Sequence, residues 1–241
     1  MLYFLIIILI CLLYIHIKYY IEYSSNDKIY ELDVVSKHEL DKITYLKYPI
    51  TFNYTIDSCY NLQKINIIDI SNNYNELLLK KREAHKLLNL SDYYSQYNDL
   101  SNQINDTLFR PITTIKADYD ILFGHTGVTT KLTSEYAYRT IFVVVDGNID
   151  ITLIHPNNSN ILNEQLNCKY IVRESSYNIW TNKLPKHKIL YLKKGRAISI
   201  PMYWWWSIKF GDSAKVLQFK YYTFINKVVL LPILTQIWLN N

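Results

Sequence analysis

GRAISIPMYWWWSIKF, Gly195–Phe210, is the most strongly patterned segment of the chain. It runs glycine, five residues, Pro201, one residue, Tyr203, two residues, Trp206, three residues, then Phe210. Three consecutive tryptophans stand in what reads as a β-strand beginning at Pro201. Side chains alternate across a strand, so Trp204, Trp206, Ile208 and Phe210 share one face and Trp205 takes the other. Burying one such ring stabilises a core by roughly 1.5–3 kcal/mol or more, at about 25 cal/mol per Å². Upstream, GVTTKLTSEYAYRTIFVVVDG, Gly127–Gly147, has a spacing of its own: Gly127, five residues, Thr133, one, Glu135, four, Thr140, six, Gly147.

All five glycines of the chain, Gly124, Gly127, Gly147, Gly195 and Gly211, fall in or around these two stretches. A chain this poor in glycine keeps it where backbone geometry demands it, which marks residues 124–211 as the region of tight turns. Within it, RTIFVVVDGNIDITLIHP predicts a hairpin. A β-branched run meets Asp146-Gly147 as a type I′ turn, then Ile149, Ile151 and Leu153 alternate until Pro156 stops the strand. Further strands are expected at YDILFG, KYIVRE, HKILYL, AISIPM and AKVLQFKYY. Residues 73–108 read as helix or loop, with NELLLKKREAHKLLNL the clearest helix. On it Leu77, Ala84 and Leu88 share a face while Lys80, Arg82 and Lys86 lie elsewhere, the pattern of a solvated amphipathic helix rather than a phosphate or lipid patch.

With 49% apolar and 20% charged residues in 241, the chain carries enough material for one folded domain with its own core. The wealth of Tyr, Ile, Asn and Lys is what the coding bias of an AT-rich genome produces and is not read as a functional signal. A net charge of +5 is modest and its lysines and arginines are spread out, so no nucleic-acid partner is expected. Cys11, Cys59 and Cys168 show no CxxC spacing, which argues against a disulfide framework and a zinc cluster. There is no Gly-rich phosphate loop, GxSxG elbow or HExxH.

The N-terminus, MLYFLIIILICLLYIHIKYYIEY, is apolar without a break from Leu2 to Ile15. Counting through Tyr19, Tyr20 and Ile21 it reaches roughly the 20 residues that cross a bilayer. It lacks a basic leader and a small-x-small cleavage site, so residues 1–22 are expected to be a retained single-pass transmembrane anchor rather than a signal peptide, or else a buried helix of the domain. Lys18 and Lys28 after the segment favour the cytosolic side for the domain. Asn53, Asn89, Asn105 and Asn157 each head an Asn-x-Ser/Thr match, which an Asn-rich chain produces by chance. At the other end, YYTFINKVVLLPILTQIWLNN is more apolar than a solvated tail. Val228, Leu231, Leu234 and Ile237 form a stripe, and Pro232 is expected to divide it into two short helices. Such a stripe marks an interface with a second copy, with the domain's own helices or with a membrane surface.

The two spacings match the first and second cupin motifs in their glycine and proline framework. More closely, the chain resembles the cupin-like branch of the JmjC family of iron and 2-oxoglutarate hydroxylases. FGHTGVTTKLTSE stands where that family has G…T-P-L-H-x-D, GRAISIPMYWWW where it has G-D-x-x-x-I-P-x-x-W-W-H, and HELDKITYLKYPITFNY resembles its lead-in. The resemblance implies a double-stranded β-helix and a triad of two histidines and one carboxylate around Fe(II). Position by position, Thr133 replaces the first histidine, Glu135 keeps the carboxylate, and Trp206 replaces the distal histidine. An indole N–H offers a metal no lone pair. Ile149, between Asn148 and Asp150, stands where some members carry the lysine that pairs with 2-oxoglutarate. Carried across, the position of Trp206 points into the barrel, with Trp204, Ile208 and Phe210 beside it, and fills the old pocket. Arg139 and Tyr138 are candidates for the pocket mouth. His125 and His155 could converge with Glu135 as a rearranged metal site, or be ordinary turn histidines.

The expectation is a mainly β chain with flanking helices: an anchor over 1–22, an α/β lead-in over 23–110, a double-stranded β-helix core over 111–225 and an apolar tail over 226–241. Its expected role is that of a pseudoenzyme without metal or cofactor, acting as a structural or interaction module, with the tail as a site for a homodimer or protein partner. The alternatives are an iron and 2-oxoglutarate oxygenase with rearranged ligands, or a small-ligand-binding cupin.

Overall fold

The computed structural model describes residues 2–22, 27–54, 85–89, 108–123, 126–167, 172–182, 186–212 and 214–239. In chain order these form α1 (Leu2–Ile21), β1 (Tyr30–Leu32), α2 (Lys37–Tyr45), β2 (Ile50–Asn53), β3 (His85–Asn89), β4 (Thr114–Phe123), β5 (Leu132–Glu135), β6 (Arg139–Asp146) and β7 (Asn148–Ile154). A 3-10 turn (Pro156–Ile161) follows, then β8 (Glu164–Asn167), β9 (Val172–Ser175), β10 (Lys188–Lys193), β11 (Arg196–Pro201), β12 (Trp205–Phe210), β13 (Lys215–Thr223) and α3 (Phe224–Leu239).

The strands make two sheets, one in the order β1-β2-β11-β6-β13-β4-β3 and the other β10-β7-β12-β5-β9-β8. Among the described residues only β1 and β2 pair in parallel. Inward-facing residues of both sheets meet in one core: Phe142, Val144, Ile198 and Val216 from the first, Ile149, Ile151, Trp206, Ile208 and Phe210 from the second. The outer face of the first sheet buries Ile141, Val143, Phe219 and Tyr221 with Leu40 of α2 and Phe109. Ser36 caps α2 in a reciprocal pair with Glu39.

Two expected local structures are corners between the sheets. The Asp146-Gly147 turn does not close a hairpin, because β6 pairs with β11 and β13 while β7 pairs with β10 and β12. A type I′ turn needs positive φ at both central residues, and here Gly147 has φ 66° while Asp146 is not in that region. Glycine is required at 147 for a further reason: a Cβ there would stand 2.2 Å from the carbonyl oxygen of Asp212. Pro201 likewise ends β11 opposite Arg139 instead of starting the tryptophan strand. The chain turns at Tyr203, whose φ of 71° is rare for a non-glycine, and β12 starts in the other sheet at Trp205.

The helix expected over residues 75–90 is a strand where the structure describes it. Residues 85–89 pair with β4, whose free edge offers the short apolar run a ladder, and tertiary pairing overrides helix propensity. The rest of that run lies outside the described residues. Pro232 does not divide the C-terminal stripe either; α3 continues through it as one helix. The lost N–H is a single ladder bond, and the rest of the helix carries on past it, with the Thr235 hydroxyl donating back to the Pro232 carbonyl at 2.8 Å. The hydrophobic N-terminus is helical and packs on α3. Among the described residues no helix is long and apolar enough to cross a membrane.

Candidate functional site

The corner at Tyr203 ties β5 to β12. The Tyr203 N–H donates to the Glu135 carbonyl at 3.1 Å, and Ser134 Oγ donates to the Tyr203 carbonyl at 2.9 Å. That lock sets the register in which Trp206 stands opposite Thr133. Alternation along β5 places Thr133 and Glu135 on the inner face, because Leu132 packs on the outer one against Trp205, Ile154 and Ile179. Thr133, Glu135 and Trp206 are thus neighbours on one inner surface.

Their chemistry there is not that of a metal centre. Lys220, from the inner face of β13, places Nζ 2.7 Å from Oε1 of Glu135, and both side chains are only 5% exposed. Gln218 donates from Nε2 to the same oxygen at 3.1 Å, and the Thr140 hydroxyl donates to Oε2 at 3.4 Å. A buried carboxylate is costly unless a charge and hydrogen bonds meet it, and three groups do so here. Across β13, Gln218 stands opposite Asp120, and Lys220 opposite Asp118. Burial, with Glu135, Asp118 and Asp120 nearby, pushes the Tyr222 hydroxyl well above its ordinary value, so it stays protonated.

The interior therefore has two ends. At one, Trp206 meets Phe142 edge to face, and its indole N–H has no hydrogen-bond partner among the described residues, so the ring is held by shape. At the other, the Glu135 network lies beneath α3. Asn226 of α3 donates from Nδ2 to the Tyr136 carbonyl at 2.6 Å, and Leu230 packs with Tyr136, Met202 and Tyr203. Trp204 closes the apolar core from the corner; its Nε1 donates to the Lys47 carbonyl at 3.1 Å and its ring meets His155 edge to face. Ile149 is fully buried in the same core.

Other expected site residues lie elsewhere. Arg139 does not reach the interior: it is fully buried on the outer face beneath α2, donating to Thr44 Oγ1, the carbonyls of Phe109 and Leu40, and Asp41 Oδ1. Its neighbour in sequence, Tyr138, lies beside that guanidinium, not with Glu135. His155 accepts the Asn157 N–H on Nδ1 at the start of the 3-10 turn, and His125 lies outside the described residues. Among the described residues no group of three His, Cys, Asp or Glu side chains is placed to hold a metal ion. A triad of two imidazoles and a carboxylate does not fit Thr133, Trp206 and a Glu135 already bound by an ammonium. Lys220 and Gln218 are site residues that the motif spacing does not reveal. Their signal lies in AKVLQFKYY, where alternation sets Val216, Gln218 and Lys220 on one face of a strand.

No family model and no curated protein matches the chain. Among solved structures it is similar to a cupin superfamily protein from Desulfitobacterium hafniense DCB-2, with 12% identity and a TM-score of 0.30, over 45% of this chain and 70% of that one.

Proposed function

We propose that this chain is a cupin-like, double-stranded β-helix domain in which an internal ion pair takes the place of a catalytic metal, and that it serves as a structural or interaction module held at a membrane by α1. The observation that carries the reading is the Lys220–Glu135 contact: the one carboxylate left in the degenerate JmjC-like pattern is neutralised by an ammonium 2.7 Å away. An iron ion would have to displace that ammonium and would find a hydroxyl and an indole in place of two imidazoles. Aromatic volume supports the same conclusion, because Trp206 and Phe142 occupy the interior beside Thr133. Attachment through α1 rests on its composition, with no Asp, Glu, Lys or Arg from Leu2 to Ile17.

The test is metal and co-substrate binding by the purified full chain. After anaerobic incubation with Fe(II) and 2-oxoglutarate followed by desalting, the protein is expected to retain well under 0.1 equivalents of iron and to show no calorimetric response to 2-oxoglutarate. Stoichiometric iron would overturn the reading and point to ligands other than Thr133, Glu135 and Trp206.

A further inference from the structure

The two terminal helices form a pair. α1 leads into the sandwich by its C-terminal end, α3 leaves it directly from β13, and the two pack together. Their shared composition is unusual for surface helices. α3 carries no ionisable side chain from Val228 to Leu239, and its polar Thr235 has a hydrogen-bond partner within the helix. One side of α3 is committed to the domain through Leu230, Ile233 and Leu234, yet Leu231 and Leu239 stand 53% and 74% exposed. On α1, residues from Tyr3 to Ile15 such as Phe4, Ile7, Ile10 and Leu13 are exposed too. At about 100° per residue the exposed apolar positions of α1 sweep an arc of roughly 200°. A protein neighbour covers a stripe of about 100°, whereas a helix apolar around most of its circumference suits a solvent that is itself apolar.

The domain end of the pair is polar. Lys227, in the first turn of α3, and Lys116, on β4, both lie over the ring of Tyr222, at 4.6 and 5.4 Å from its centroid. Lys18 stands in the last turn of α1. Lys116 pairs with Asp118 at 2.9 Å and Lys18 with Glu22 at 3.5 Å, so the root of the apolar helix pair is polar and charged, the character that settles at the water side of a bilayer.

From this we infer that α3 enters the acyl region of a bilayer beside α1, so that the two ends of the chain form one lipid-embedded element with a polar collar at the headgroups. The inference rests on the proposed attachment through α1 and adds α3, the lipid phase as its occupant and the collar. It requires burial in the acyl layer, not a crossing. Pro232 costs α3 one N–H, and the Thr235 hydroxyl next to it stays bonded within the helix, to the Pro232 carbonyl at 2.8 Å.

Depth-dependent quenching tests it on the full chain reconstituted in vesicles of phosphatidylcholine and phosphatidylserine. With Cys11, Cys59 and Cys168 changed to serine, one fluorophore is placed by Leu231→Cys, Leu239→Cys, Ile7→Cys or, as a control on β10, Ile189→Cys. Acyl-chain nitroxides are expected to quench the labels at 7, 231 and 239 at least threefold more than iodide does, with the reverse order at 189. If Ile7→Cys responds to lipid while both α3 labels respond to iodide, α3 lies outside the bilayer and the inference fails while the α1 attachment stands. If the label at 7 also ignores lipid, both fall. Labels shielded from both quenchers, with a dimer in sedimentation, assign the faces to a second copy and overturn the inference.

Discussion

Trp206 and Phe142 meet edge to face with ring centroids 4.7 Å apart, bridging the two sheets at the point that a ligand would have to open. Edge-to-face pairs are worth about 0.5–1.5 kcal/mol beyond the area they bury. Trp206→His removes that contact and leaves unfilled volume, at an expected cost of about 3 kcal/mol. Urea unfolding measures it, and a loss under about 1 kcal/mol would mean that the ring does not fill the interior. The variant should not hydroxylate or turn over 2-oxoglutarate, since Thr133 supplies no imidazole.

The Glu135–Lys220 pair makes a separate prediction. Lys220→Met strands a buried carboxylate and should destabilise by about 3–5 kcal/mol, whereas Lys220→Met with Glu135→Gln should recover most of that loss. Equal stability of the single and double variants would show that the two charges are not coupled. The same logic predicts how a metal site could be introduced. Thr133→His with Trp206→His should bind Co(II) roughly 10- to 100-fold more weakly than the same pair with Lys220→Met added, because the ammonium competes for the carboxylate. Visible absorption of bound Co(II) reads the difference.

What the sequence made legible was the set of strands and one inner face. The strands expected at β4, β9, β10, β11 and β13 form, and Trp206, Ile208 and Phe210 share the core with Trp205 on the opposite side. Alternation is local, and local pattern suffices for it. Sheet membership is not local. Asp146-Gly147 reads as a hairpin because its flanks are strands, but β6 and β7 belong to different sheets, and only the partners β10, β11, β12 and β13 decide that. Arg139 lies on the outer face for the same reason. Its position next to Thr140 says nothing about Asp41 and Phe109, which come from distant segments to meet it.

Arg139 should be structural. Burial pulls its guanidinium down from its ordinary value, and Asp41 opposes that effect. Its donors satisfy two carbonyls, a hydroxyl and a carboxylate, joining α2 and the Phe109 turn to β6. Arg139→Met is expected to cost about 3–5 kcal/mol. Arg139→Lys should recover only a minor part, since a single ammonium cannot reproduce the planar fork. Thermal unfolding decides it; full rescue by lysine would show that charge alone matters.

Lys47 predicts a pH dependence. It sits at φ 60° beside the tryptophan corner, with its Nζ donating to the Glu22 carbonyl. Burial pushes its ammonium down to about 8, against the opposing charge of Glu22. The folded protein therefore sheds this proton more readily than the unfolded chain, whose lysine titrates near about 10.4. Where the unfolded state holds more protons, stability rises with pH. The favourable contribution is fully present above the unfolded value, declines as pH falls across the window from about 10.4 to about 8, and is gone below it. Stability of the native chain measured by urea unfolding should thus rise between about pH 8 and about pH 10 relative to Lys47→Met, which lacks the group. Parallel curves for the two proteins across that window would show that the Lys47 ammonium is as well solvated folded as unfolded.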